Sequence, residues 1–234
     1  MQYKDEFIRQ IYYFRAERPD PLIIDGGSNI GMSILYFKRL YPMARIIGFE
    51  PDPSIFRILR ENMDRNHIGG VNLVNAGLGP EQGSARFLPD GSAGGQIIDR
   101  CGGITVRQER LSDYLHEPVD FLKLNIEGAE LGVLEEAEGN NRIGSISEIV
   151  FEYHGWGGKE QKLGPMLSLL DRQGFRYLVH DFDDETNNAS KPPFRLEPST
   201  TWFCLVYARR LGSGADAVGY RETPRTAPRG IVPD

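Results

Sequence analysis

The sequence predicts an α/β fold built on a parallel, doubly wound sheet, and three observations carry that expectation. The apolar run Leu22-Ile23-Ile24 leads into Asp25-Gly26-Gly27-Ser28-Asn29-Ile30-Gly31, after which Met32, Ile34, Leu35, Phe37 and Leu40 fall on one side of a helix. A short β-branched run ending at glycine reads as a buried strand, so the unit is strand, glycine turn and helix. Comparable β-rich and helix-periodic segments alternate along much of the chain, the pattern of crossover-connected parallel strands. Finally, 234 residues with 40% hydrophobic content suffice to bury the core of one such domain.

Taken in order, Phe7, Ile8, Ile11, Tyr12 and Phe14 give a roughly helical apolar stripe. They predict one N-terminal helix that packs on the domain or covers part of a ligand site, ended by Pro19 and Pro21. Residues 21–24 form the first strand and 45–49 the second, which ends in Glu50-Pro51-Asp52-Pro53. Ile55, Ile58, Leu59 and Met63 sit at helix spacing, and residues 71–76 read as a third strand. From 77 to 118 the alternation lapses. Short strands at 84–88 and 104–107 flank a loop with Gly91, Gly94, Gly95, Gly102 and Gly103, which either borders a binding site or is a plain surface excursion.

Regularity returns with a fourth strand at 119–125, a helix opening at Glu127 and running through Ala137, a fifth strand at 146–153, and a helix marked by Leu163, Met166, Leu167 and Leu170. Residues 175–180 and 201–207 form an antiparallel pair at one sheet edge, joined by a polar connection containing proline. The expected organisation is a helical extension over 1–20, the α/β domain over 21–209 and a Pro/Arg/Gly-rich surface tail over 210–234.

The ligand of the glycine loop is narrowed by what the loop lacks. A dinucleotide fingerprint starting at Gly26 needs glycine where Ser28 stands, and a phosphate-binding loop needs lysine where Met32 stands. What remains is a ligand without a phosphate chain, held by acidic strand ends and close backbone contact, and S-adenosylmethionine fits. Glu50, at the tip of the second strand, is placed to accept ribose hydroxyls. The alternative reading leaves Asp25 and Glu50 as strand-end and capping residues.

Composition excludes several classes. A net charge of −6 argues against a general nucleic-acid binder, which shows a basic surface. Cys101 and Cys204 are the only cysteines and have no metal-like spacing, so a reducing cytoplasm is the expected location. No apolar run approaches membrane-spanning length, so no membrane role is expected.

Four blocks taken together, D-G-G-S-N-I-G, G-F-E-P-D-P, F-L-K-L-N-I-E-G-A-E and E-I-V-F-E-Y-H, resemble the FkbM family of S-adenosylmethionine-dependent methyltransferases over residues 22–207. The resemblance implies a Rossmann-like class I methyltransferase domain, with a seven-stranded, mostly parallel sheet, helices on both faces and an antiparallel last strand. It implies methyl transfer to a hydroxyl of a small acceptor such as a sugar or a natural-product intermediate. The cofactor-binding set is then Asp25, Gly26, Gly27, Ser28, Asn29, Gly31, Glu50, Pro51, Asn75, Ala76 and Asn125. The family usually has aspartate where this chain has Asn125. An amide accepts a hydrogen bond but is neither a general base nor a strong ligand for a divalent metal.

An alcohol needs a base, and His154, just past the fifth strand, is the leading candidate, against a reading as a hydrogen-bonded loop anchor. Glu127 follows the fourth strand tip closely enough to bind acceptor hydroxyls or take the proton, although Glu127 and Glu130 also suit a helix start. The catalytic set is therefore His154, Glu127 and Asn125. Lys123 and Glu152 are expected to pair across neighbouring strands, and Trp156 to stack on an acceptor ring or plug a loop. A divalent metal on Asn125, Glu152 and His154 is conceivable but not favoured, because amide, carboxylate and imidazole suit magnesium poorly. A homodimer through an uncovered N-terminal helix is a further expectation. Two rival readings stand beside the enzyme. One is a non-catalytic S-adenosylmethionine-binding module, and the other is a nicotinamide-dependent sugar-modifying enzyme, disfavoured by Ser28.

Overall fold

The first strand is a short β-branched run buried along its length, and the first three strands pair in parallel because helices carry the chain back between them. The computed structural model describes residues 3–89, 95–98, 102–181 and 200–210. Its elements are β1 (Leu22–Gly26), α1 (Met32–Leu40), β2 (Arg45–Phe49), α2 (Pro53–Arg65) and β3 (Val71–Val74), then β4 (Gly77–Leu78), β5 (Gly83–Leu88), β6 (Gln96–Ile98) and β7 (Ile104–Glu109). They continue with β8 (Val119–Leu124), α3 (Glu130–Gly139), β9 (Ile146–Gly155), α4 (Leu163–Arg172), β10 (Phe175–His180) and β11 (Trp202–Arg210). The main sheet has seven strands in the order β10-β11-β9-β8-β1-β2-β3, and β4-β7-β5-β6 form a second, smaller sheet. Within the main sheet only β11 runs against its neighbours, β9 and β10. This is the seven-stranded, mostly parallel sheet that the family resemblance implies, with β10 at the edge and β11 inserted beside β9.

From β1 the chain moves outward through β2 and β3, then returns to place β8 and β9 on the other side. The strand order therefore reverses between β1 and β8, and an open α/β sheet has its ligand crevice at that switch point, beyond the carboxyl ends of the strands. Strand alternation divides the core. Ile24, Leu122, Ile149 and Phe151 pack with α3 and α4, whereas Ile23, Phe121, Val150 and Leu205 face α1, α2 and the N-terminal segment. α2 is fixed by Asp52, whose carboxylate accepts from the Ser54 and Ile55 amides at 2.8 and 3.4 Å, with Pro53 in the first turn.

The expected N-terminal helix is a single wide turn, Lys4–Ile8, followed by turns and extended chain. Aromatic packing decides this. Phe14 stacks on Phe121 at 4.2 Å and Tyr12 lies against Phe37, so burying both rings on the sheet outweighs the helical stripe. Ile11, Tyr12 and Phe14 are buried within the subunit, while Tyr3, Ile8 and Tyr13 of the same segment are exposed. The third strand stops at Val74, because Asn75 turns to donate to the Glu50 and Pro51 carbonyls at 2.8 and 3.2 Å. Among the described residues no helix is long and apolar enough to cross a membrane. Gly91, Gly94, Cys101, the connection 182–199 and the tail beyond 210 lie outside the described residues.

Candidate active site

At the carboxyl end of β1 the backbone must pass close to β8, and this explains the glycines. Gly27 has φ +77°, and a side chain there would put its first carbon 2.0 Å from the Asn125 carbonyl oxygen. Gly31, at φ +95°, lies against Met63 and Leu59 of α2. These glycines make room for protein, where the sequence suggested room for a ligand.

The Asp25↔Lys123 register between β1 and β8 points both side chains to one face. Lys123 Nζ is 3.0 Å from Asp25 Oδ1 and donates to the Gly26 and Gly27 carbonyls at 3.2 and 2.6 Å. Ser33 donates to the other Asp25 oxygen at 2.6 Å. Asp25 thus braces the loop through the Lys123 ion pair and the Ser33 hydrogen bond. This corrects the expected Lys123–Glu152 pair, because Lys123 stands opposite Val150 in the β8–β9 register.

A cavity of about 440 Å³ opens at the switch point. Its wall includes Gly27, Ser28, Asn29, Glu50, Pro51, Asn125, Glu127 and His154 of the expected site residues; Asp25, Gly26, Gly31, Asn75 and Ala76 stand behind it. Phe49, Ile55, Leu78, Phe87 and Ile97 supply apolar surface. Part of the irregular 77–118 stretch thus does border a site. Glu50 is 6% exposed and accepts from the Asn29 and Asp52 amides at 3.0 and 2.8 Å. Burial pushes its carboxyl up to about 7, against the pull of those two amides.

A second cavity of about 750 Å³ adjoins the first, sharing Ile97, Glu127 and His154 and extending to Trp156, Lys159 and Lys162. His154 belongs to β9 itself. Its Nε2 lies 3.3 Å from Glu152 and 3.6 Å from Glu127. Burial favours the neutral ring, but the surrounding carboxylates, Glu152 foremost, outweigh it and raise the imidazole pKa above 6.5. Nδ1 is buried and has no hydrogen-bond partner among the described residues. With two acceptors at Nε2, the neutral ring carries its proton there and leaves the Nδ1 lone pair vacant.

The helix expected from Glu127 begins at Glu130. Glu130 is buried and accepts from the Ile126 and Gly128 amides, both at 2.9 Å. That clamp holds Glu127 in the left-handed region, at φ +55°, and directs it to the wall between the cavities. Trp156 lines the second cavity. His154 stacks on it at 5.2 Å and Lys159 Nζ lies 4.2 Å from its ring centre.

Asn125 Nδ2 donates to Glu152 at 3.1 Å. Aspartate at this position would set two carboxylates side by side, so the amide suits its neighbour. Asn125, Glu152 and His154 bond to one another instead of converging on a point, and no group of three such ligands occurs among the described residues. This donor set does not fit a divalent metal. The donor chemistry does fit S-adenosylmethionine, with Glu50 for a diol, apolar walls for a base, and buried acidic groups for a cation.

Comparison with known proteins agrees with this geometry. The family model described as the methyltransferase FkbM domain matches residues 25–177. A Beauveria bassiana protein, methyltransferase 1, is 32% identical over 160 residues, covering 56% of this chain and 64% of the relative. The chain thus spans just under two thirds of that relative's length. The Sinorhizobium fredii 2-O-methyltransferase NoeI is 28% identical over 179 residues, covering 66% of this chain and 72% of its own. The crystal structure of methyltransferase FkbM from Methylobacillus flagellatus superposes with a TM-score of 0.55 at 16% identity, over 88% of this chain and 47% of that one, a likeness of fold. On the family match, which covers most of the sheet and both walls of the crevice, the chain belongs to the FkbM methyltransferase family.

Proposed function

We propose that the protein is an S-adenosylmethionine-dependent O-methyltransferase acting on a small hydroxylated acceptor. The carrying observation is His154, a buried imidazole on the wall shared by two adjoining cavities, whose Nδ1 has no hydrogen-bond partner among the described residues. The first cavity is assigned to the donor, with Glu50 on the ribose diol and Gly27, Ser28, Asn29 and Pro51 as its backbone wall. The second takes the acceptor. Methyl transfer to an oxygen agrees with the 2-O-methyltransferase name of the Sinorhizobium relative.

When bound, the sulfonium supplies a methyl carbon whose bond to sulfur breaks, with its electron pair, as the bond to oxygen forms. The chain's part is alignment, a proton acceptor and exclusion of water. Alignment contributes about 7 to 11 kcal/mol. His154 Nδ1 receives the hydroxyl proton, and Glu152 and Glu127 stabilise the imidazolium that results, an assistance worth roughly 10² to 10⁴ in rate. Asn125 holds Glu152, and Glu130 holds the turn that carries Glu127.

Two measurements test this reading. S-adenosylhomocysteine at about a hundredfold excess over its dissociation constant should stabilise the protein by roughly 2.7 kcal/mol, and NAD should not. In the presence of donor, His154→Ala should keep binding intact while turnover on hydroxylated acceptors falls by about 10² or more. Stabilisation by NAD alone overturns the donor assignment, and normal turnover by His154→Ala overturns the base.

A further inference from the structure

Glu6 has no part in the chemistry above, yet it is the most unusual acid in the molecule. We infer that Glu6, carried on the N-terminal turn, is the counter-ion that binds the cationic amino-acid end of the donor. The inference rests on the donor assignment made above and adds to it a residue outside the family-model match.

The geometry carries the argument. Glu6 lines the donor cavity together with Asp5, Ile11 and Tyr12, facing a wall that includes Gly27, Ser28 and Lys123. It is 6% exposed, and its Oε2 has no hydrogen-bond partner among the described residues. A buried acceptor without a donor is costly, and folding alone gives no reason to keep one. Among the described residues the ammonium acting on Glu6 is that of Lys123, and it does not supply the missing bond, because Lys123 is committed to Asp25 and to the Gly26 and Gly27 carbonyls. A carboxyl with an unpartnered oxygen on a cavity can take a donor from the ligand, and an ammonium offers three.

The groups acting on Glu6 are Lys123, Asp25 and Asp5, with the phenols of Tyr12 and Tyr36 beside it. Lys123 and Asp25 neutralise each other, so burial dominates and pushes the Glu6 carboxyl up to about 8. At pH 7 the protonated form of Glu6 is therefore favoured. A cation arriving there would ionise it and expel its proton, a charge-assisted contact stronger than a neutral one. Glu6 and Glu50 each feel Lys123, and neither is among the charges acting on the other. One acid thus serves the diol and the other the cation.

Isothermal titration calorimetry of the full chain at pH 7, in phosphate and in Tris, gives both affinity and the number of protons exchanged. The probes are S-adenosylhomocysteine, which carries the amino-acid end, and 5′-methylthioadenosine, which lacks it. Expected is that Glu6→Gln weakens S-adenosylhomocysteine about tenfold or more and suppresses the release of close to one proton, leaving 5′-methylthioadenosine within about twofold. Any proton exchange by Glu50 is common to both proteins and cancels. The substitution mimics the neutral acid, so the ligand-free melting temperature should match the wild type; Glu6→Met, which removes the acceptor and keeps the volume, should show the same selective loss. Unchanged affinity and proton count in Glu6→Gln overturn the inference while leaving the donor assignment intact. Failure of the wild type to bind S-adenosylhomocysteine removes the donor assignment and the inference with it.

Discussion

Replacing Lys123 by methionine removes the charge from the centre of the sheet without opening a cavity. Asp25 is fully buried and its partner ammonium is 3.0 Å away with a side chain 4% exposed. Deleting one member of a buried ion pair strands the other, at a cost of about 3 to 5 kcal/mol. The same substitution releases the Gly26 and Gly27 carbonyls, which have only that ammonium as a side-chain donor. Ser33 still donates to Asp25 at 2.6 Å, which offsets part of that cost. For a chain of this length each kcal/mol moves the melting temperature by roughly 2 to 4 °C, which puts Lys123→Met about 6 to 20 °C below the wild type. Thermal unfolding followed by circular dichroism at pH 7.5 measures it. Asp25→Asn combined with Lys123→Met should recover a large part of the loss, because the stranded charge is gone. A single variant melting within about 2 °C of the wild type would refute the reasoning, since the pair would then hold the loop no better than an apolar side chain does.

Three further outcomes are expected. The raised His154 pKa places the rising limb of the turnover–pH profile above 6.5, and Glu127→Gln, by removing one carboxylate that favours the imidazolium, should move that limb to lower pH; an unmoved limb separates Glu127 from the base. Glu50 has a folded-state pKa of about 7, raised from 4.5, so its contribution to stability is fully present below 4.5 and is lost as pH rises through 7. The melting temperature of Glu50→Gln relative to wild type should therefore increase between pH 4.5 and 8, whatever constant offset comes from altering its bonds to Asn29 and Asp52, and a pH-independent difference would contradict the burial argument. Asp52→Ala removes the cap of α2 and should lower stability by about 1 kcal/mol in urea unfolding; no change would mean that Pro53 alone fixes the helix start.

By itself the sequence determined the features that a few consecutive residues encode. The β1 loop and α1, the acidic tip of β2, and β8 running into Asn125 were legible because hydrophobic period and turn chemistry act within a dozen residues. Glu50, Asn125, Glu127 and His154 were found that way, and all four line one cavity. The antiparallel outer strands were legible too, although their order beside β9 was not. Tertiary structure decided the partners. Asp25 pairs with Lys123, and not Lys123 with Glu152, because register between β1 and β8 sets which side chains share a face, and a shift of one residue would reverse it. Glu130 became a clamp and Glu127 a cavity residue only once the helix start moved past both the turn and its strained φ. The N-terminal stripe looked helical in isolation, yet its rings gained more by packing on Phe37 and Phe121, and that packing brought Glu6 to the donor cavity. No local signal marks Glu6, since its burial and its missing partner arise from residues far along the chain, and only the folded molecule brings them together.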